Sequence, residues 1–150
     1  MTKEDILNIQ FDWANGIIEM GKLSNKRNSL ESFTTKFLDK LYNYEDKVLF
    51  KPTKAREEQF RNDFDSAFSY FIAGEDRKCI EDLGFALSNW TEIIFDNSDI
   101  IIHGDIALAM GNYSFKNNES SIKVEYSFVY KKYGDSIKII LHHSSIPYQV

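Results

Sequence analysis

The segment LHHSSIPYQV that closes the chain sets His142, His143, Ser144 and Ser145 side by side at the end of an apolar run. Imidazole, with an ordinary pKa near 6.5, accepts and returns protons around neutrality. Serine hydroxyls donate and accept hydrogen bonds. Such a set can hold a water or a small anion and move a proton. In an extended strand the side chains alternate, so Ile137, Ile139, Leu141, His143 and Ser145 share one face and Lys138, Ile140, His142 and Ser144 the other. The first face is the more apolar, so parity predicts that His143 and Ser145 continue the buried side. Residues two apart on a strand lie about 6–7 Å apart at Cα, a span that suits two groups meeting one small ligand. A strand end that leaves the core and turns polar has the same composition.

Two further stretches carry polar groups that chemistry can use. In FKPTKAREEQFR, Pro52 stiffens the backbone before Thr53, and Lys54 and Arg56 offer positive charge to an anion. A solvated loop leading into a helix reads the same way. In SAFSYFIAG, Tyr70 lies about 200° round a helix from Phe68, off the stripe formed by Phe60, Phe64, Phe68 and Phe71. It therefore faces solvent or lines a second surface between helix and sheet. Three histidines match a zinc ligand count, but His142 and His143 alternate in direction and His103 sits at a turn, so no ligand spacing supports a metal site. No G-x-S-x-G elbow marks a serine hydrolase.

Composition narrows the classes. The 150 residues are 43% hydrophobic and 15% aromatic, a globular balance with a net charge of −5. One domain spanning 1–150 is expected, burying about 70% of the surface of its unfolded chain. The acidic balance argues against a nucleic-acid binder, which needs excess Lys and Arg. Cys79 is the only cysteine, which excludes an intrachain disulfide and a cysteine-based zinc site. No apolar run reaches about 18 residues, and MTKEDILNIQFDW lacks the apolar core of a signal peptide. The expectation is a protein of the cytoplasm with no membrane partner.

The elements that must position these groups follow from periodicity. Ile6, Ile9, Trp13, Ile17 and Met20 recur at helical spacing behind a Thr2/Asp5 capping box, and Leu30, Phe33, Phe37 and Leu41 mark a second helix. VLFKPT reads as a short strand. A third helix is expected from Phe60 to Ala73, and GEDRKCIEDLGF as a loop with a short helix before Gly84. From Trp90 the period changes to two. Strands WTEIIFDNSDIIIHG, DIALAMGNYSF, SSIKVEYSFVY and SIKIILHHSS are joined by turns at Gly104-Asp105 and Gly134-Asp135. An interruption is expected at Asp96-Asn97-Ser98 and a bend at Gly111. Helices followed by a meander of long strands make an α+β pattern.

VLFKPTKAREEQFR, AFSYFIAG, EDLGFAL, FDNSDIIIHGDIALAMGNYSF, KVEYSFVYKK and LHHSSIPY, in that order, resemble the iota-class carbonic anhydrases. These are relatives of the calcium/calmodulin-dependent kinase II association domain within the NTF2-like superfamily. The resemblance runs over roughly residues 45 to 148 and is most specific in GDIALAMGNYSF and HHSS-x-P. It implies a cone in which N-terminal helices pack on a highly curved antiparallel sheet. It implies a homodimer formed through the sheets, and reversible hydration of carbon dioxide to bicarbonate without an obligatory cofactor, zinc or another divalent metal being used by some members. It also implies a pocket lined by Thr53, Tyr70 and a His and a Ser of HHSS. Carried over by the resemblance, the last two are His143 and Ser145, which strand parity independently puts on one face, and His142 with Ser144 is the other choice. Two other classes share the fold: a ligand-binding or oligomerisation module, and a hydrolase or isomerase in which a carboxylate such as Asp82 or Glu125 enters the cavity.

Overall fold

The computed structural model describes residues 1–150. Helix α1, Lys3–Lys22, begins at Thr2, whose hydroxyl accepts from the Asp5 N–H while the Asp5 carboxylate accepts from the Thr2 N–H. This reciprocal pair satisfies two of the donors that a helix start leaves free. Its buried stripe is Ile6, Trp13, Ile17 and Met20, with Gln10 beside it. Helix α2, Arg27–Leu41, buries Leu30, Phe37 and Leu41. Strand β1, Leu49–Lys51, follows.

Helix α3 starts later than the phenylalanine spacing predicts, spanning Phe64–Ile72 and capped by Asp63. The reason lies in β1. The Arg61 N–H donates to the Phe50 carbonyl at 2.7 Å and the Phe50 N–H donates to Asn62 Oδ1 at 3.0 Å. The chain before Asp63 is thus committed to the sheet edge and cannot coil, and Phe60 is exposed. The loop after α3 makes turns where a short helix was expected, and one 3-10 turn, Phe85–Leu87, comes after Gly84.

Strands β2 (Glu92–His103), β3 (Ile106–Lys116), β4 (Ser121–Tyr133) and β5 (Ser136–Ser145) form the expected antiparallel meander. The sheet is mixed, however, in the order β1-β5-β4-β3-β2, because β1 pairs in parallel with β5. The expected interruption in β2 is a bulge: the register steps from Asn97–Gly111 to Asp99–Met110 and leaves Ser98 over. Gly111 is required there, since a Cβ at that position would stand 2.1 Å from the Asp96 carbonyl oxygen. Such bulges bend and twist a sheet, and this one turns its inner face around the helices. Val124, Tyr126, Phe128 and Tyr130 of β4 all point inward. With Trp13, Phe37, Tyr42, Phe50 and Phe71 they make one aromatic core.

Candidate active site

The inner face of β5 does not follow simple alternation. Ile139 is buried, and so are His142 and Ser144, whereas His143 is exposed and Ser145 half-buried. The expectation that His143 and Ser145 continue the buried side is therefore corrected. The cause is a second bulge. Tyr130 pairs with Ile139 and Val129 with Leu141, so Ile140 is an extra residue opposite no partner. One extra residue reverses the faces of everything beyond it. On its other edge β5 is gripped on both sides of the bulge, by the Asn43 N–H on the Ile139 carbonyl and by β1 from Leu141 onward.

The structure brings Thr53, Tyr70, His142 and Ser144 to one small cavity, closed by Trp13, Phe50, Pro52, Phe71, Phe85 and Tyr113. It does not bring His143 and Ser145 there. Their register partners across the sheet are Ser127 and Glu125 of β4, on the outer side. The accessible space is about 10 Å³, roughly the room of one water. A cleft of about 710 Å³ lies elsewhere, between α2 and the loop after α3, and shares none of these residues.

Hydrogen bonds tie the lining together. Thr53 Oγ1 donates to Ser144 Oγ at 3.0 Å, and Ser144 Oγ is also bonded to the Tyr113 hydroxyl. Tyr113 Oη lies 3.0 Å from His142 Nε2, and Tyr42 Oη lies 2.9 Å from His142 Nδ1. Trp13 Nε1 donates to Tyr42 Oη at 2.9 Å. Tyr70 Oη accepts from the Lys54 N–H at 3.3 Å, which places its phenol against the backbone that carries Thr53. No buried side-chain nitrogen or oxygen is without a partner.

Burial sets the protonation states. His142 is held well below the usual histidine range because burial penalises its charged form, with His143 adding in the same direction. Burial likewise raises the phenols of Tyr42, Tyr70 and Tyr113, so at neutral pH all three keep their protons. The site is a neutral imidazole among five hydroxyl groups, those of Thr53, Ser144, Tyr113, Tyr42 and Tyr70, and an indole N–H, suited to positioning a neutral molecule and aiming dipoles at charge that develops on it.

The loop that carries Thr53 is fastened from outside. The Glu81 carboxylate accepts from the backbone N–H groups of Arg56, Glu57 and Glu58 at 2.7, 2.9 and 2.8 Å. Arg61, fully buried, makes two 2.7 Å bonds to the Asp82 carboxylate, and Ser69 donates to that carboxylate at 2.6 Å. Asp82 is therefore occupied, and Glu125 is exposed, so neither carboxylate enters the cavity. Lys54 is exposed, its amine 5.9 Å from the Phe85 ring centre, and Arg56 pairs with Glu57 on the surface. No three His, Cys, Asp or Glu side chains gather as a metal ligand set; His103 ends β2 at the hairpin.

Sequence reasoning missed Tyr113, Tyr42 and Trp13 as members of the site. Tyr113 carried a signal, since it alternates with Phe115 on the inward face of β3. Tyr42 ends α2 and Trp13 sits mid-stripe in α1, where both read as ordinary core residues.

A helix-backed, curved sheet of this order defines an NTF2-like α+β protein. The same fold recurs in a putative calcium/calmodulin-dependent kinase II association domain from Xanthomonas campestris, 22% identical, with a TM-score of 0.67 over 100% of this chain and 91% of that one. The model of the metal-independent carbonic anhydrases matches residues 4–146. A metal-independent carbonic anhydrase from Nostoc sp. (strain PCC 7120) is 31% identical over 99% of this chain and 75% of the relative. A crystal structure of a cyanobacterial iota-carbonic anhydrase complexed with bicarbonate is 30% identical, with a TM-score of 0.93 over 100% of this chain and 94% of that one. The chain belongs to the metal-independent carbonic anhydrase family.

Proposed function

We propose that this protein hydrates carbon dioxide reversibly to bicarbonate in the cavity bounded by Thr53, Tyr70, His142 and Ser144, without a metal, as a single domain over residues 1–150. The observation that carries the reading is the convergence of the Thr53, Tyr113 and Ser144 hydroxyls, beside Tyr70, on a space of about 10 Å³ walled by aromatic rings. The cyanobacterial relative was crystallised with bicarbonate. A pocket for a larger ligand would be expected at several hundred Å³; the space here has the room of one water, so CO₂ must part the rings beside it to reach that water.

In the reaction a water oxygen bonds to the carbon of CO₂, one C=O π bond opens, and a proton leaves. Negative charge collects on the oxygens of the product. Hydroxyl donors already in place beside those oxygens stabilise that charge without reorganising. Apolar rings from Phe50, Phe71 and Phe85 suit uncharged CO₂. His142 is sealed among aromatic rings and resists protonation, so it serves to orient hydroxyls, and the proton departs through water at the Thr53 side.

Stopped-flow hydration of CO₂ by protein stripped of metal tests the proposal. Acceleration over buffer, unchanged by added zinc, is the expected result. A folded protein with no acceleration would end the enzymatic reading and leave a ligand-binding module.

The same protein is proposed to be a cytoplasmic homodimer joined through its sheets. Supporting this, Ile101, Leu108, Val129, Leu141 and Leu49 stand in one register row across all five strands on the outer face. Ile101 and Leu49 are 58% and 57% exposed. Sedimentation at micromolar concentration should give twice the 17.5 kDa chain mass.

A further inference from the structure

We infer that Tyr42, oriented by Trp13, is a positioning residue that fixes His142 as its Nε2–H tautomer and thereby directs a one-way chain of hydrogen bonds ending at the Ser144 hydroxyl. The argument uses only who can give and who can take. The Trp13 indole N–H can only donate. It donates to Tyr42 Oη. The Tyr42 O–H proton must then find an acceptor, and the one polar atom left within reach is His142 Nδ1 at 2.9 Å. Nδ1 is therefore bare. A neutral imidazole with a bare Nδ1 carries its proton on Nε2, 3.0 Å from Tyr113 Oη, which accepts it. Tyr113 then turns its own proton to Ser144 Oγ. Thr53 donates to the same oxygen. With two donors received, Ser144 turns its own proton toward the cavity side.

The opposite tautomer runs the chain backwards. With Nδ1–H, the Tyr42 proton would face another donor in a buried space, a loss of about 1–3 kcal/mol for the unsatisfied group. Nε2 would draw the Tyr113 proton, Ser144 would donate to Tyr113, and its proton would be lost to the cavity. Nothing at the site competes with this order. The imidazole lies between the Phe50 and Phe128 rings, at 4.7 and 4.0 Å between centroids, and no carboxylate touches it.

The effect on catalysis rests on the proposed function; the tautomer does not. The experiment is nitrogen NMR of the full chain labelled with ¹⁵N-histidine, paired with stopped-flow CO₂ hydration, on wild type and Tyr42→Phe. Wild type should show an unprotonated Nδ1 and a protonated Nε2 at His142, assigned by its loss in His142→Gln. Tyr42→Phe should add Nδ1–H signal and lower kcat by about 10- to 100-fold, the usual cost of removing an orienting partner, with KM within about twofold.

A wild-type His142 carrying Nδ1–H, or protons on both nitrogens, overturns the inference even in an active enzyme. So does a Tyr42→Phe protein with wild-type spectrum and kcat. An inactive wild type with the Nε2–H spectrum overturns the proposed function and supports the chain's direction. Should Tyr42→Phe fail to fold, the wild-type spectrum alone decides.

Discussion

Phe128 stacks on His142 with ring centroids 4.0 Å apart and planes 21° from parallel. Phe50 covers the other side at 4.7 Å and 14°. An imidazolium in this sandwich would lose its hydration, so the folded state holds His142 neutral below the pH at which an unfolded chain protonates it. The unfolded state then binds more protons than the folded one below about pH 6.5, and stability rises with pH through that window. Acidification below pH 6.5 should cost up to about 1.4 kcal/mol per pH unit for this one group. Urea midpoints at pH 7, 6 and 5 check it, and His142→Gln should flatten the added slope. A slope that survives the substitution would assign the acid sensitivity to another group.

Ser144→Ala should lower kcat for CO₂ hydration by about 10²- to 10³-fold, the cost of losing one well-aimed donor. Ser145→Ala and His143→Ala, on the outer side of the bulge, should stay within about threefold of wild type. Steady-state kinetics on the three variants checks which pair faces the reaction. Activity lost in Ser145→Ala and kept in Ser144→Ala would reverse the assignment.

That contrast shows where the chain could be read and where it could not. Helices α1 and α2 and the hairpins from β2 to β5 were legible because apolar residues recur at 3–4 or 2, two of the three turns carry Gly-Asp, and the third is the polar run Asn117 to Ser120. The facing of HHSS was not. Ile137, Ile139, Ile140 and Leu141 are all aliphatic, so the extra residue at Ile140 leaves no break in polarity to read. The approach of Tyr42 to His142, 100 residues apart in the chain, depends on how α2 docks on β5, which local periodicity does not encode. The start of α3 was misread for a related reason, since the claim of β1 on Arg61 and Asn62 is invisible in the Phe spacing.

Asp82→Ala should be among the most destabilising substitutions. It strands the fully buried guanidinium of Arg61, for which about 3–5 kcal/mol is typical. It also removes one of the ties between the segment from Thr53 to Asp63 and the loop after α3, leaving the Glu81 carboxylate on the Arg56, Glu57 and Glu58 N–H groups as another. Chemical denaturation should show the loss, and an unfolding free energy within about 1 kcal/mol of wild type, the ordinary effect of a single substitution, would mean the pair contributes little.

Gly111→Ala places a methyl group 2.1 Å from the Asp96 carbonyl oxygen, 2.8 Å from the Ser98 nitrogen and 2.9 Å from the Asn97 Cα. Backbone cannot yield as a side-chain tip does, so a loss of about 1–3 kcal/mol or more is expected. Thermal unfolding measures it. An unchanged melting temperature would mean that the β2 bulge is dispensable.

Trp13, Tyr42, Tyr113 and His142 are each no more than 2% exposed and belong to the innermost packing of the protein. In most enzymes reactive groups ride on loops above an inert scaffold and can drift while the scaffold persists. Here one set of rings both fills the interior and steers the hydroxyls. Substitutions at these positions are judged twice, by whether the chain still folds and by whether a serine proton still points the right way. Adaptation of this protein to a new substrate must therefore come from the Thr53 loop, where the two demands separate.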